Sequence, residues 1–203
     1  MSGKQSGEAS TVNRIIFLDI ISFFLVILFI GLFNYDHVML VLLITIYPYL
    51  KWTGRLRLFV PFGLAIVMSI IWGSIAADQY EYSLKGLQIG FFNLYPVFFW
   101  TFGLFVVKLI YSSISRRFEN RGFMLKMLIF SSLFWAGLIA AESIVYHVFG
   151  VKNLATSGNA GLPLIDAIHA PPWMQICYFL MGPLYFMLIE LTERKIVILF
   201  KRK

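Results

Sequence analysis

Three ionisable residues in the last third of the chain could do acid–base chemistry: Glu142, Asp166 and His169. Glu142 lies in an otherwise apolar run, and a carboxyl group inside a membrane helix is costly unless it is paired, protonated or facing a wet cavity. Such a group could act as a general acid or base, a metal ligand or a proton-relay station. A structural interpretation is equally simple: the carboxyl hydrogen-bonds to a neighbouring helix or reaches water at the membrane surface.

Asp166 and His169 lie three residues apart in the segment PLIDAIHA, between Pro163 and Pro171. Proline suits the first turn of a helix and also stops one, so the segment predicts a short amphipathic helix of about two turns. Its spacing places Asp166 and His169 on one face, where the carboxylate could orient the imidazole as a base above a cavity that holds Glu142. The alternative is a loop helix lying in the headgroup layer with its polar side towards water.

Four further residues form the predicted substrate-binding set. Tyr146 lies one helical turn after Glu142, which predicts a hydrogen bond between them. Asn93 marks a polar, bent stretch of an aromatic helix, and Trp135 and Trp173 lie at the two ends of the segment that holds the three ionisable residues. No dense ligand set such as His-Glu-x-x-His is present, so no metal site is predicted, and no cofactor is identified.

The composition is that of a membrane protein. Of 203 residues, 60% are hydrophobic and 13% are charged, against about 25% charged in soluble domains. The net charge of +7 does not indicate a nucleic-acid partner, because the basic residues lie at the ends of apolar runs rather than in one patch. The expected partners are membrane lipids, with other membrane protein subunits as the alternative. We therefore predict an all-α, polytopic bundle.

A membrane-spanning helix needs about 20 apolar residues, and six candidates are found. The second is short, with an apolar core at residues 38–49 that is long enough to cross only as 34–50. The predicted spans are residues 14–33, 34–50, 58–76, 87–110, 124–149 and 173–200. They form one transmembrane domain, 14–200, between a polar cytoplasmic tail, 1–13, and a basic cytoplasmic end, 201–203. An outer loop, 150–172, carries the predicted short helix.

The distribution of basic residues predicts the orientation. With six spans and the N-terminus inside, 15 of the 17 Lys and Arg residues fall on the inner side and 2, Lys85 and Lys152, fall outside. Such a bias towards the inside is typical of membrane proteins. Both termini are therefore expected in the cytoplasm, and the bacterial inner (plasma) membrane is the default location.

The third and fourth predicted spans resemble the lycopene cyclase domain of carotenoid-pathway membrane proteins. The similarity covers residues 56–111, including LRLFVPFGLAIVMSIIWGSIAADQYEYSLKGLQIGFFNLYPVFFWTFGLF. That family has a Pro-x-Glu-Glu motif, whereas this chain has Val97, Phe98 and Phe99 after Pro96. The resemblance therefore implies an isoprenoid or lipid setting and carries over no catalytic residue.

These observations lead to one main functional hypothesis and two alternatives. The main hypothesis is a membrane protein that binds or transforms a lipid-like or isoprenoid molecule in an outward-facing cavity, with Glu142 as acid or base and Asp166 and His169 closing the site. The first alternative is a non-catalytic scaffold or assembly subunit, because no catalytic motif is present. The second is a small proton-coupled carrier, because several spans contain proline.

Overall fold

The computed structural model describes the backbone of residues 2–33, 35–81, 87–89 and 92–201, and the side chains of residues 14–29, 32–33, 37–81, 87–89 and 93–193. In this part the chain forms six long helices and one hairpin of two-residue strands. The helices are α1 (Ser2–Leu32), α2 (Tyr35–Trp52), α3 (Phe59–Ile75), α4 (Leu94–Ile114), α5 (Phe123–Ser143) and α6 (Pro172–Lys201). Strand β1 (Gln88–Ile89) pairs antiparallel with β2 (Phe92–Asn93). Short 3₁₀ turns lie at Leu56–Leu58, Ala77–Gln79 and Ser115–Phe118.

Four helices among the described residues are long and apolar enough to cross a membrane. They cover Leu56–Ile75, Leu94–Phe118, Phe123–Val148 and Pro172–Glu193, with mean hydropathies between 1.5 and 2.1. A shorter apolar helix covers His37–Trp52. The predicted all-helical fold is confirmed, and four of its helices could span a membrane, while the number of six spans and the orientation stay predictions.

Helix α4 is the centre of the bundle and packs against α1, α2, α3 and α5, while α6 packs against α5 and α3. Lipid tails are as apolar as the helix surfaces, so close packing rather than hydrophobicity holds membrane helices together. Gly182 illustrates this at the contact between α5 and α6. A Cβ atom added there would lie 2.6 Å from Cδ1 of Phe134, so only glycine allows the two helices to approach this closely.

The helices alternate in direction and give the bundle two distinct ends. The end of α4 and the start of α5 lie at one end with Arg116, Arg117 and Arg121, which we call the basic end. The start of α4, the end of α5 and the segment 150–171 lie at the other, which we call the loop end. Glu142 and His169 are both at the loop end.

Two predicted boundaries differ from the structure. The fourth helix begins at Leu94 rather than at residue 87, because residues 88–89 and 92–93 pair as strands and Asn93 caps the helix by accepting a hydrogen bond from the Tyr95 backbone N–H at 2.9 Å. At the N-terminus, α1 already begins at Ser2, so the backbone of residues 2–13 of the predicted tail 1–13 is continuous with the first helix, and Met1 lies outside the described residues. Of the predicted basic end, Arg202 and Lys203 lie outside the described residues.

The predicted short helix at residues 163–170 is wrong. Leu164, Asp166 and Ile168 have φ values of 75°, 50° and 62°, and left-handed residues at alternate positions cannot form a right-handed helix. The segment is a compact turn in which the Leu162 N–H donates to the Ala167 carbonyl at 2.7 Å. Gly161 is necessary here, because a Cβ atom would lie 2.9 Å from the Asp166 carbonyl carbon.

Contacts with neighbouring helices explain why the turn replaces the helix. The Asp166 carbonyl bonds to Nε2 of His147 at 2.9 Å. The side-chain amide of Gln175 donates to the carbonyls of Ile168 at 3.2 Å and Ala170 at 2.9 Å. Side chains from outside the segment thus hold three of its carbonyl groups in the turn, and tertiary contacts override the local helix signal.

Candidate functional site

Glu142 lies at the end of α5, where the helix widens into a π-turn. The turn covers Ile144–Val148, and the Phe149 N–H donates to the Ile144 carbonyl five residues earlier, at 3.3 Å. π-Turns inside helices are frequent at functional sites. The wider turn changes the angular spacing of the side chains, and the predicted hydrogen bond between Glu142 and Tyr146 does not form. Within the described part of the chain, Glu142 makes no hydrogen bond and no ion pair.

A cavity of about 50 Å³, with largely polar walls, lies beside Glu142 at the loop end. We call it the polar cavity. Six of its lining residues carry the argument: Tyr80, Trp100, Glu142, Tyr146, His169 and Tyr178. A water molecule needs about 10–15 Å³ of such space, so the cavity can hold a few waters or one small functional group. The helices α4, α5 and α6 and two loops converge on this volume.

His169 is held from two sides. Its Nε2 lies 3.1 Å from Oδ1 of Asp166, and its ring stacks on Tyr146 with centroids 4.2 Å apart and planes inclined by 14°. A carboxylate only accepts hydrogen bonds, so in the neutral ring the proton lies on Nε2 and Nδ1 is a bare acceptor. The predicted contact between Asp166 and His169 therefore forms, although the helix that was expected to supply the geometry is absent, and the role of His169 as a base stays a prediction.

Nδ1 of His169, the ring nitrogen that does not contact Asp166, is buried. The side chain is 10% exposed, whereas that of Asp166 is 73% exposed. Among the described side chains, Nδ1 of His169 is one of three buried polar atoms without a hydrogen-bond partner. Because buried polar atoms are normally paired, and because His169 lines the polar cavity, this atom is available to a group bound there.

Tyr80 organises the opposite wall and was missed by sequence reasoning. Its hydroxyl accepts hydrogen bonds from the indole N–H groups of Trp72 at 2.7 Å and Trp100 at 3.1 Å, and lies 3.2 Å from the hydroxyl of Tyr178. Burial raises the pKa of Tyr80 to about 12, with a further contribution from the charge of Glu142. The phenol is therefore neutral at ordinary pH. A signal was present in the sequence, because tryptophans inside membrane helices need an acceptor when they are buried.

Asn153 attaches the loop 150–171 to the end of α3. Its amide donates to the Gln79 carbonyl at 2.7 Å and its oxygen accepts from the Glu81 N–H at 2.9 Å. The Leu154 N–H donates to the Glu81 carbonyl at 2.6 Å. The Asn153 side chain and one backbone hydrogen bond thus join the loop 150–171 to residues 79–81, and both segments line the polar cavity.

Three of the predicted binding residues do not line this cavity. Trp135 joins α5 to α6 by donating to the Phe179 carbonyl at 2.8 Å, and Asn93 caps α4. Trp173 is 44% exposed and lies against Trp72, with ring centroids 6.0 Å apart. The structure thus brings together four predicted residues, Glu142, Tyr146, Asp166 and His169, and places the other three in packing or capping positions.

A second, larger cavity of about 230 Å³ lies between α1, α2, α4 and α5. We call it the apolar cavity, because most of its walls are aliphatic and aromatic; they include Phe23, Val26, Met39, Phe105 and Leu138. Phe99 and Trp100 line both cavities. A polar space and an apolar space therefore meet at one pair of aromatic side chains.

The apolar cavity reaches a buried polar cluster at the basic end. Arg55 donates to both carboxylate oxygens of Asp19, at 2.8 and 2.9 Å, and Tyr49 donates to the same carboxylate. Asp19 is 2% exposed. Burial would lower the pKa of Arg55, but the hydrogen bond and charge of Asp19 outweigh burial and raise it. We call Asp19, Tyr49 and Arg55 the basic-end clamp, because they fasten α1 to the end of α2.

No group of three or more His, Cys, Asp or Glu side chains that could hold a metal ion is found within the described residues. The polar cavity therefore offers acid–base and hydrogen-bonding groups: one carboxyl, one oriented imidazole and a tyrosine–tryptophan network.

Comparison with known proteins found no match, since no family model covers the sequence and no curated protein or solved structure matches it. The similarity to the lycopene cyclase domain thus stays a prediction from the sequence.

Proposed function

We propose that this protein binds and transforms a lipid-like or isoprenoid molecule within the membrane. One observation carries the proposal: the polar cavity with Glu142 and His169 shares the walls Phe99 and Trp100 with the larger apolar cavity. An amphiphile has the same two parts, a small polar group and a hydrocarbon chain. Ligand sites are typically apolar spaces with a few convergent polar groups.

In this proposal the hydrocarbon chain occupies the apolar cavity and the reactive group lies between Glu142 and His169. Nδ1 of His169 is the base, oriented by Asp166 through Nε2. Glu142 is the acid, because it lines the same cavity and has no partner within the described part of the chain. Tyr80 supports the wall from the far side.

The proposal includes the topology. With six spans and both termini in the cytoplasm, the basic end faces the cytoplasm and the polar cavity opens towards the outer face. The plasma membrane of a bacterium is the proposed location. Membrane lipids are then the surrounding solvent and the source of the ligand.

A lipid and pigment profile of whole cells tests the function. Mass spectrometry is applied to cells with the wild type, Glu142→Gln, His169→Ala, the control Glu81→Gln and an empty vector. Glu81 is an exposed carboxylate at the same end of the bundle. Acid–base groups contribute about 10²–10⁴ to rates, so a species formed by the wild type and the control should fall at least about 100-fold in both site variants.

The same profiles distinguish the alternatives. A species that is equally abundant in all four protein-expressing strains would show that Glu142 and His169 do not carry the chemistry. Profiles that match the empty vector throughout would contradict lipid transformation and favour the scaffold subunit, which would then be sought through co-purifying membrane proteins. A carrier would instead produce flux in proteoliposomes without a new species.

A further inference from the structure

One buried hydrogen-bond acceptor is left open in the polar cavity. Nδ1 of His169 accepts when Nε2 holds the proton against Asp166. Two donors in the lining are already engaged: the Trp100 indole N–H bonds to Tyr80, and the Asn153 amide bonds to the Gln79 carbonyl. A ligand group that pairs with Nδ1 of His169 is therefore a hydrogen-bond donor.

The charges around the cavity disfavour an anion. Its described lining contains Glu142 and no lysine or arginine, and the carboxylate of Asp166 lies behind His169. The exposed Lys152 lies outside this lining, with its Nζ 4.8 Å from the centroid of the Tyr146 ring. Phosphate sites normally use arginine, lysine or a cluster of backbone N–H groups. An anionic head group would find no arginine or lysine in the described lining to offset its charge.

The size of the cavity gives the same answer. About 50 Å³ is room for a few water-sized groups, which suits a hydroxyl and is too small for the phosphodiester head group of a membrane phospholipid. The apolar cavity of about 230 Å³ takes part of a hydrocarbon chain. We propose that the ligand is an uncharged apolar alcohol whose hydroxyl donates to His169 while its chain passes Phe99 into the apolar cavity. This inference rests on the proposed lipid function and specifies its substrate class.

Binding measurements with four compounds of one chain length test the inference. The purified full-length protein in nanodiscs is titrated with a long-chain alcohol, its methyl ether, its primary amine and its monophosphate. The ether keeps the oxygen but loses the donor, and one hydrogen bond to a buried acceptor corresponds to about tenfold in affinity. The alcohol should therefore bind about tenfold more tightly than the ether. It should also bind more tightly than the phosphate and the amine, because burying either charged group costs more desolvation free energy than burying a hydroxyl.

Variants connect this preference to His169. His169→Phe keeps a ring for Tyr146 to stack on but removes Nδ1, so the alcohol and the ether should bind equally. The exposed His37→Ala is the control and should keep the tenfold preference. Thermal melting shows whether the variant folds. If His169→Phe does not fold, Asp166→Asn, which changes a mostly exposed side chain, should reduce the preference for the alcohol.

The outcomes distinguish this inference from the proposed function on which it rests. Equal binding of alcohol and ether by the wild type, or tighter binding of the amine or the phosphate, overturns the alcohol assignment and leaves lipid binding intact. An unchanged preference in His169→Phe overturns the role of His169. Failure of all four compounds to bind overturns the proposed function as well.

Discussion

The basic-end clamp allows the sharpest quantitative prediction about stability. Asp19 is buried on α1 and receives four hydrogen bonds: two from Arg55, one from Tyr49 and a longer one, 3.5 Å, from Ser113. Asp19→Asn keeps the size of the side chain but removes its charge and directs an amide group at the guanidinium. Arg55 then keeps its positive charge in a partly buried position without a counter-ion.

Removing one partner of a buried ion pair costs about 3–5 kcal/mol, because the remaining charge is left uncompensated. Asp19→Asn should lower the free energy of unfolding by this amount. The double variant Asp19→Asn/Arg55→Gln removes the orphaned charge and should recover a large part of the loss. As a control, Asp78→Asn changes an exposed carboxylate and should stay within about 0.5 kcal/mol of the wild type.

The assay is reversible unfolding in mixed micelles, followed by far-UV circular dichroism as the fraction of denaturing detergent rises. Two results would refute the reasoning. A loss below about 1 kcal/mol for Asp19→Asn would show that the pair behaves like an exposed surface bridge. A double variant no more stable than Asp19→Asn would show that the loss does not come from the uncompensated arginine.

Two further predictions concern packing and pH. Gly182→Ala brings a methyl group against Phe134 and should destabilise the bundle by about 1–3 kcal/mol through overpacking. Thermal melting checks this, with Gly103→Ala as the control because a Cβ atom there meets open space. Equal melting temperatures for the two variants would contradict the close approach of α5 and α6. Tyr80 has a pKa raised by burial to about 12, above the value of about 10 in the unfolded chain. Its contribution to stability is therefore complete below about pH 10 and lost as pH rises through about 12. Tyr80→Phe should lower stability at neutral pH, because two indole N–H groups lose their acceptor. The variant should also show a smaller fall in stability between pH 10 and 12. A series of melting curves at alkaline pH that matches the wild type would refute the hydrogen-bond network around Tyr80.

The helices could be predicted from the sequence because membrane helices follow simple length and charge rules. Glu142 could be identified as a candidate site residue on similar grounds, because a carboxyl group is unusual within an apolar run. The proximity of Asp166 and His169 was also predicted, but for the wrong local reason. A spacing of three residues brings two side chains together in a helix, and the turn reaches the same contact with left-handed residues.

The rest of the site depends on contacts between distant segments. Tyr80 joins the site through Trp72 and Trp100 on two other helices, and no local pattern shows where a loop tyrosine will point. The π-turn after Glu142 is equally hidden, because its sequence is as apolar as an ordinary helix end. Trp135 was assigned to binding because an aromatic residue suits both a ligand wall and a helix contact, and the choice between them depends on its partner, the Phe179 carbonyl.

The polar groups at the two ends of the bundle differ in their hydrogen bonding. This difference favours a ligand site at the loop end over a purely structural role. At the basic end the Asp19 carboxylate has a donor on each oxygen and a matching charge. At the loop end, within the described residues, Glu142 has no partner and Nδ1 of His169 is unpaired, although the ring itself is firmly held by Asp166 and Tyr146. An unpaired polar atom in a low-dielectric interior costs about 1–3 kcal/mol, and packing between helices gains nothing from it. A bound hydroxyl or water that pairs with Nδ1 of His169 would offset that cost, which is why we propose that the function lies at the loop end.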